Sequence, residues 1–420
     1  MSELPAWVNP AQMQLDTRFD AQGRWVSGPV NDAAVPKALD AQPRDIVVRD
    51  DTLRSGGNTP GVYASVEKKL RIAAALEEMG VREAEVGYGS LPDDRRLVES
   101  LKRRGTRIVC GMHARSWLPN WKSDVDSIAG CGGDLVNFIG MQGYTSTRAL
   151  HPELSGDAFL ARMEECIAYA KSRGLKVAFG TDHPRPEVVP DTVRRAVAAG
   201  VDRWVVYDAR GWFLPQTMAM MVTLARVASE DKIEITVHAH DDFGLATANT
   251  FEGIRAGAMG CDVCVNRTGH RCGNAAFEQV VVGLEYFFGH RTGIDLTRVT
   301  ALSQLVSELY EIPVPENAPI VGHNMFSYGG LHITGILRGD WFLWENLHAE
   351  TVGAKRHIVY GPSALQRGVD SPLDAKVATM GKAADERQMD RIVSGLRQLI
   401  EDKKFATDAE VEKIISRVMG

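Results

Sequence analysis

From Asp45 onward the apolar residues keep a repeating order: a short apolar run, a polar stretch, then apolar positions at helical spacing. The runs at 46–48, 84–87, 107–110, 135–139, 176–179, 204–207, 233–238 and 262–266 predict strands. Helical spacing predicts helices at 64–79, 93–104, 157–173, 191–199, 215–229, 251–258 and 275–288. Strands that alternate with helices lie parallel, because a helical crossover returns the chain to the same end of the sheet. Eight such units over about 240 residues predict an α/β fold closed into a (β/α)8 TIM barrel. An open doubly wound sheet is the second choice, but no Gly-x-Gly-x-x-Gly turn opens a helix after the first strand. Residues 1–44 are polar with little periodicity and read as an N-terminal extension, packed on the domain or on a partner subunit. The barrel then occupies 45–290. The remainder, 291–420, reads as a small, mostly helical linker and C-terminal subdomain, with helices at 299–310, 374–380 and 390–402.

A barrel carries its chemistry where each strand ends and its loop begins. The seventh strand leads into His238 and His240, one residue apart. Side chains two apart on a strand point the same way, so both imidazoles would address one point, as two ligands of a divalent metal do. A bare His-x-His is also a common polar strand end. Here Asp241, Asp242 and Gly244 follow as a turn and helical spacing resumes at Leu245, which completes half of a βα unit. The first strand runs into Asp50, Asp51, Arg54, Ser55 and Asn58; the second carries Glu85, and the third His113 and Arg115. The fourth leads to Gln142, Thr145, Arg148 and His151, and the fifth to Thr181, Asp182, His183 and Arg185. Asp208 and Arg210 follow the sixth, and Asn266, His270, Arg271 and Asn274 the eighth. Singly, each is an ordinary loop residue. Gathered at one mouth, arginines beside two histidines suit a metal held next to a carboxylate-bearing substrate. Arg54 and Glu85 are the candidates for catalysis, and Asp50, His113, Arg115, Arg148 and Thr181 for holding substrate.

Composition narrows the class. Over 420 residues, 44% are hydrophobic and 24% charged, as in ordinary globular proteins, and the net charge of −6 with no basic run argues against nucleic acid. The six cysteines form no paired Cys-x-x-Cys sets, so reduced thiols are expected. The N-terminus has no signal pattern, and no run of about 18 apolar residues exists to span a membrane. A cytoplasmic protein is the expectation.

Three motifs carry a resemblance: Arg-Asp-Asp-Thr-Leu-Arg at 49–54, His-Ala-His-Asp-Asp-Phe-Gly-Leu-Ala at 238–246, and Val-Asn-Arg-Thr-Gly-His-Arg-Cys-Gly-Asn-Ala-Ala at 265–276. With 321–326, 330–332 and 350–356, they resemble the DRE-TIM metallolyase superfamily, most closely its isopropylmalate synthase and homocitrate synthase branch. The resemblance spans roughly 45–365 and includes the linker subdomain that follows the barrel in the synthases. It implies a divalent metal (Mg, Mn or Zn) that chelates an α-keto acid, and an acyl-CoA, usually acetyl-CoA, whose enolate attacks the polarised carbonyl. Hydrolysis of the thioester would then release CoA. On this likeness Arg54 contacts the keto-acid oxygen, His238 and His240 are metal ligands, and Asn274 lies near the metal. His332 matches a linker histidine implicated in proton transfer, commonly supplied by the partner chain, which implies a homodimer. The remaining length leaves no room for the regulatory domain of leucine-controlled synthases, so such control is not expected.

The departures bear on the metal and the substrate. Where the family places a liganding Asp or Glu directly after the strand-one arginine, this chain has Ser55, a much poorer ligand for a hard cation. Asp50, Asp51 or Asn58 could compensate. The Gly-Glu-Arg of the eighth-strand motif is Gly269-His270-Arg271 here, and a linker histidine and aspartate become Tyr328 and Thr334. Every change makes the pocket less negative. One reading is a synthase for a more anionic or differently shaped keto acid. The alternatives are a retro-aldol lyase or decarboxylase on the same barrel, or a catalytically silent paralogue.

Overall fold

In a computed structural model of the protein, the described residues are 18–19, 24–27, 44–141, 151, 153–154, 156–182, 185–330, 332–339, 345–368 and 371–420. The chain divides into two compact units, 36–314 and 1–35 with 315–420.

The first unit is a closed barrel of eight parallel strands. In chain order they are β1 (Val47–Asp50), β2 (Glu83–Tyr88), β3 (Val109–Arg115), β4 (Leu135–Met141), β5 (Lys176–Asp182), β6 (Arg203–Asp208), β7 (Glu234–Ala239) and β8 (Gly260–Val263). β8 closes the ring on β1, with Gly260 opposite Val47. Helices α1 (Val66–Glu78), α2 (Pro92–Arg103), α3 (Trp121–Gly130), α4 (Asp157–Ser172), α5 (Val189–Ala198), α6 (Pro215–Ser229), α7 (Ala246–Arg255) and α8 (Phe277–Phe288) alternate with the strands, and α9 (Val299–Tyr310) follows. The predicted barrel is therefore the observed one.

Period-two alternation gives the strands an apolar outer side and an inner side that carries the buried charges, beside an apolar cluster of Leu135, Ala178, Val205 and Tyr207. Outside, Phe138, Phe179 and Trp204 stack side by side and receive Trp121 of α3 and Phe159 of α4. Inside, Arg49 ion-pairs with Glu83 and Glu234, and Arg203 with Glu83, at the N-terminal ends of the strands. Two residues along from Arg49 and Glu83 come Asp51 (just past β1) and Glu85, and four along from Glu234 comes His238. Arg49, Glu83, Arg203 and Asp262 line a cavity of about 20 Å³ together with Asp51 and Glu85.

Local differences from the sequence reading have physical causes. β3 runs on to Arg115, because Gly111 and His113 interrupt the apolar run without interrupting the ladder to β4. β8 stops at Val263, before the predicted 266, and Asn266 is already left-handed at φ 56°. Helix α3 has its apolar stripe, Trp121, Val125 and Ile128, diluted by Lys, Ser and Asp, and the sequence reading missed it.

In the second unit, β9 (Ser327–Tyr328), β10 (His357–Tyr360) and β11 (Ala406–Thr407) form a small sheet. Helices α10 (His332–Arg338), α11 (Pro372–Thr379), α12 (Glu386–Lys403) and α13 (Asp408–Met419) surround a core that includes Ile333, Tyr360, Leu373, Ile392, Leu396, Val411 and Ile415. The chain thus ends on a helix beyond the one predicted at 390–402. Arg18–Phe19 pairs with Val26–Ser27, and Trp25 bridges to Leu347, so the described part of the extension joins this unit. Among the described residues no helix is long and apolar enough to cross a membrane.

Candidate metal and substrate centre

The two histidines leave β7 on one side, as the alternation requires. Their ring centroids are 5.3 Å apart, with His238 only 3% exposed and His240 7%. The turn after them is tied down: Asp241 accepts from the Ala246 amide at the start of α7 and pairs with Arg267 at 3.0 Å. Across from it, His240 bridges Asn274, and Gly273 supplies the close approach. At φ +87°, a Cβ on Gly273 would meet the Arg267 carbonyl oxygen at 1.5 Å, so only glycine lets this loop deliver Asn274.

His238 is oriented from both ring nitrogens. Nδ1 lies 3.1 Å from Asp262 Oδ2 on β8, and Nε2 faces Asn274 Nδ2 at 3.1 Å. A carboxylate on Nδ1 fixes the tautomer that leaves the Nε2 lone pair available, the usual support for a liganding imidazole. Ser55 Oγ donates to Asn274 Oδ1 at 2.9 Å, which brings the end of the first strand to the same cluster.

Beside it stands a second group. Arg54 donates through Nε to Glu85 Oε2 and through Nη2 to Asp51 Oδ2, each at 3.0 Å. Glu85 Oε1 accepts from Asn137 at 3.3 Å and sits 3.4 Å from His113 Nδ1, and Tyr207 donates to Asn137 Oδ1 at 3.0 Å. Burial pushes the Glu85 carboxyl up, but Arg54 and His113 outweigh it and hold it well below the usual carboxylate range. Burial wins at Asp51, whose carboxyl is raised with help from Glu85 and Asp262. It also pushes the His240 imidazole down to about 2, reinforced by His238, and lowers His113 despite Glu85 beside it.

Not every candidate joins this centre. Asp50 is buried with its carboxylate on Thr52, accepting from the amide at 3.0 Å and the hydroxyl at 2.7 Å. Thr181 shares its side of β5 with outward-packed Phe179. Arg115 stands at the rim, its guanidinium 5.3 Å from the Tyr88 ring, and His270 is exposed. Arg148 lies outside the described residues, with Gln142, Thr145 and His183. His332 begins α10 in the second unit and is exposed. Asp262 and Asn137 were missed; a carboxylate between Cys261 and Val263 in an apolar strand was the available signal.

The donors fit a divalent cation. Asp51 Oδ1 and His240 Nδ1 are buried without a hydrogen-bond partner among the described residues. Asp51 and Glu85 share one buried guanidinium, Arg54, and the buried Asp262 stands against His238 Nδ1. Among the described residues no three His, Cys, Asp or Glu side chains form a group that could hold a metal ion, and the donors that stand together are the two imidazoles and the Asn274 amide.

The HMGL-like family model matches residues 45–306, which covers the barrel and both halves of this centre. The chain belongs to the HMGL-like family. A 2-isopropylmalate synthase of Methanocaldococcus jannaschii is 32% identical over 388 residues, 90% of this chain and 72% of that protein. A candidate (R)-citramalate synthase of Archaeoglobus fulgidus is 35% identical over 379 residues, 89% of this chain and 75% of that one. The HMG-CoA lyase of Brucella melitensis shares the fold, with a TM-score of 0.56 at 17% identity over 64% of this chain and 99% of the lyase. As a member of the HMGL-like family with synthases for relatives, the chain is an enzyme of the acyltransferase class.

Proposed function

We propose that the protein condenses an acyl-CoA, acetyl-CoA by its resemblance to the isopropylmalate and homocitrate synthases, with an α-keto acid, giving a 2-hydroxy acid and free CoA. The observation that carries this reading is the buried convergence of His238, His240, Asn274 and an Arg54–Glu85 pair at the open end of the barrel. His238, His240 and Asn274 would hold the divalent metal. When bound, it supplies Lewis-acid polarisation of the keto group. Arg54, locked by two carboxylates, is pre-oriented to meet the keto-acid oxygen with a rigid guanidinium. Glu85 keeps that guanidinium in place and, through Asn137 and Tyr207, ties it to the barrel wall. Arg115 at the rim suits a substrate carboxylate, and His332 takes the proton-transfer role that the resemblance gives it. A homodimer belongs to the same proposal.

The test is CoA thiol release by the purified protein with acetyl-CoA and a panel of monocarboxylic and dicarboxylic α-keto acids, in Mg, Mn or Zn. Release that needs one acid, needs metal, and disappears in His238→Ala/His240→Ala is the expected result. No release with any acid in a protein that binds metal would sink the condensation.

A further inference from the structure

Strict alternation would put Tyr88 on the opposite side of β2 from Glu85, because the two are three residues apart. The structure reverses this. β2 carries a bulge between Glu85 and Gly87: Glu85 pairs with Gly111 and Tyr88 with His113, so three steps along β2 match two along β3. Such a bulge re-aims a side chain, and here it brings Tyr88 onto the inner side with Glu85 and His113. The kink is built in. A Cβ on Gly87 would meet the Asp94 side chain at 2.2 Å, and Asp94 is held there by Lys69 at 2.7 Å and by the Tyr88 amide at 2.9 Å. The Tyr88 ring meets His113 edge to face, with centroids 5.4 Å apart, and its hydroxyl accepts from Asn58 Nδ2 at 3.0 Å. Two guanidiniums stand around the same ring, that of Arg54 at 5.9 Å from its centre and that of Arg115 at 5.3 Å.

The two arginines differ in what they already hold. Arg54 is buried and ion-paired twice, and in the reading above it serves the head of the keto acid. Arg115, two residues beyond His113 and so on the same inner side, is exposed. Among the described residues no carboxylate lies within ion-pair distance of it; Asp124 on α3 is buried and feels its charge from further away. We infer that Arg115 receives a second carboxylate at the far end of the keto acid, and that Tyr88 is the positioning residue that holds its guanidinium over the mouth. The substrate class is then a short dicarboxylic α-keto acid, its head at Arg54 and its tail at Arg115. This rests on the condensation reading above. A planar guanidinium takes both oxygens of a carboxylate, and an aromatic face beside it keeps that fork in one orientation. An alkyl tail in the same place would cover Arg115 without a partner for its charge.

The test is thiol release with matched pairs of acids, 2-oxoglutarate against 2-oxovalerate and oxaloacetate against 2-oxobutyrate, in which a methyl group replaces the second carboxylate. At least one diacid should exceed its partner by about tenfold or more in kcat/KM, because the methyl forfeits a charge-assisted pair. Arg115→Gln should raise the KM of that diacid by about 10- to 100-fold, with a smaller change in kcat. Tyr88→Leu should lose part of the same selectivity. Tyr88→Leu/Arg115→Gln should lose no more than Arg115→Gln alone, because Tyr88 acts through Arg115; a merely structural Tyr88 would add its own loss. A monocarboxylic acid preferred in both pairs, or an Arg115→Gln enzyme that keeps the diacid preference, overturns the assignment and leaves the condensation standing. The Arg115→Gln result decides the substrate class even if Tyr88→Leu does not fold. No release with any acid in a protein that binds metal overturns the condensation, and this assignment with it.

Discussion

Arg54 is the residue on which the two halves of the centre depend. Its guanidinium neutralises Asp51 and Glu85 together, and all three are buried. Arg54→Gln strands two carboxylates in a poorly solvated place and should cost about 3–5 kcal/mol in stability. Arg54→Lys keeps the charge but cannot span both carboxylates with a planar fork, so thiol release should fall far more than the melting temperature. A lysine variant with undiminished kcat would remove Arg54 from the chemistry. At this scale the sequence was legible where the period of a strand decided the matter, as for His238 and His240. It was silent where a turn decided it. Asp50 and Asp51 are neighbours of one type, and only the parity of β1 and the turn after it put one carboxylate on Thr52 and the other in the centre. Thr181 and Asp182 are separated by the same ambiguity.

Elements position these residues, and α8 shows how such placement can be tested. Glu278 lies in its first turn, buried, and accepts from the Asn266 amide at 3.1 Å, which fixes the left-handed residue in the turn after β8. Burial outweighs these backbone bonds and raises its carboxyl from 4.5 to about 7. The folded chain therefore keeps a proton that the unfolded chain loses near pH 4.5. The stability Glu278 contributes is complete below that pH and is lost as pH rises through about 7. Glu278→Gln does not titrate, so the drop in unfolding free energy between pH 5 and pH 8 should shrink by up to about 3 kcal/mol. Denaturant melts of both proteins at the two pH values measure it, and equal drops would count against the burial argument. Helices with a clean apolar stripe and an end signal were read from sequence nearly to the residue: α6 was predicted at 215–229 and is Pro215–Ser229. α3 was missed for want of contrast, and α13 because Val411 and Ile415 pack into a core that forms only when the whole second unit assembles.

Across the barrel as a whole, one repeating pattern produces two polar layers with opposite purposes. Arg49, Glu83, Arg203 and Glu234 form a lower layer in which each charge has opposite partners. Asp51, Glu85 and Arg54 form an upper layer in which two carboxylates share one guanidinium. The lower layer occupies the closed end, so it serves closure of the ring, and the upper one serves the ligand. The two functions should therefore separate on mutation. Glu83→Gln removes a carboxylate shared by Arg49 and Arg203, whose side chains are only 6% and 11% exposed. Two guanidiniums would then share Glu234 as their ion-pair partner, at a cost of about 3–5 kcal/mol. Glu83→Gln/Arg203→Met removes the surplus charge as well and should regain a good part of that loss, since a buried ion pair exchanged for matched apolar volume is often close to neutral. Both variants should keep the affinity for Mn at temperatures where they are folded, because the ion pairs of Glu83 and Arg203 run to Arg49 and Glu234 and not to Asp51, Glu85 or Arg54. Urea unfolding with parallel Mn titration decides it. A Glu83→Gln protein that keeps its stability but loses metal would show the layers to be one coupled network, in which the closed end helps to set the charge of the site.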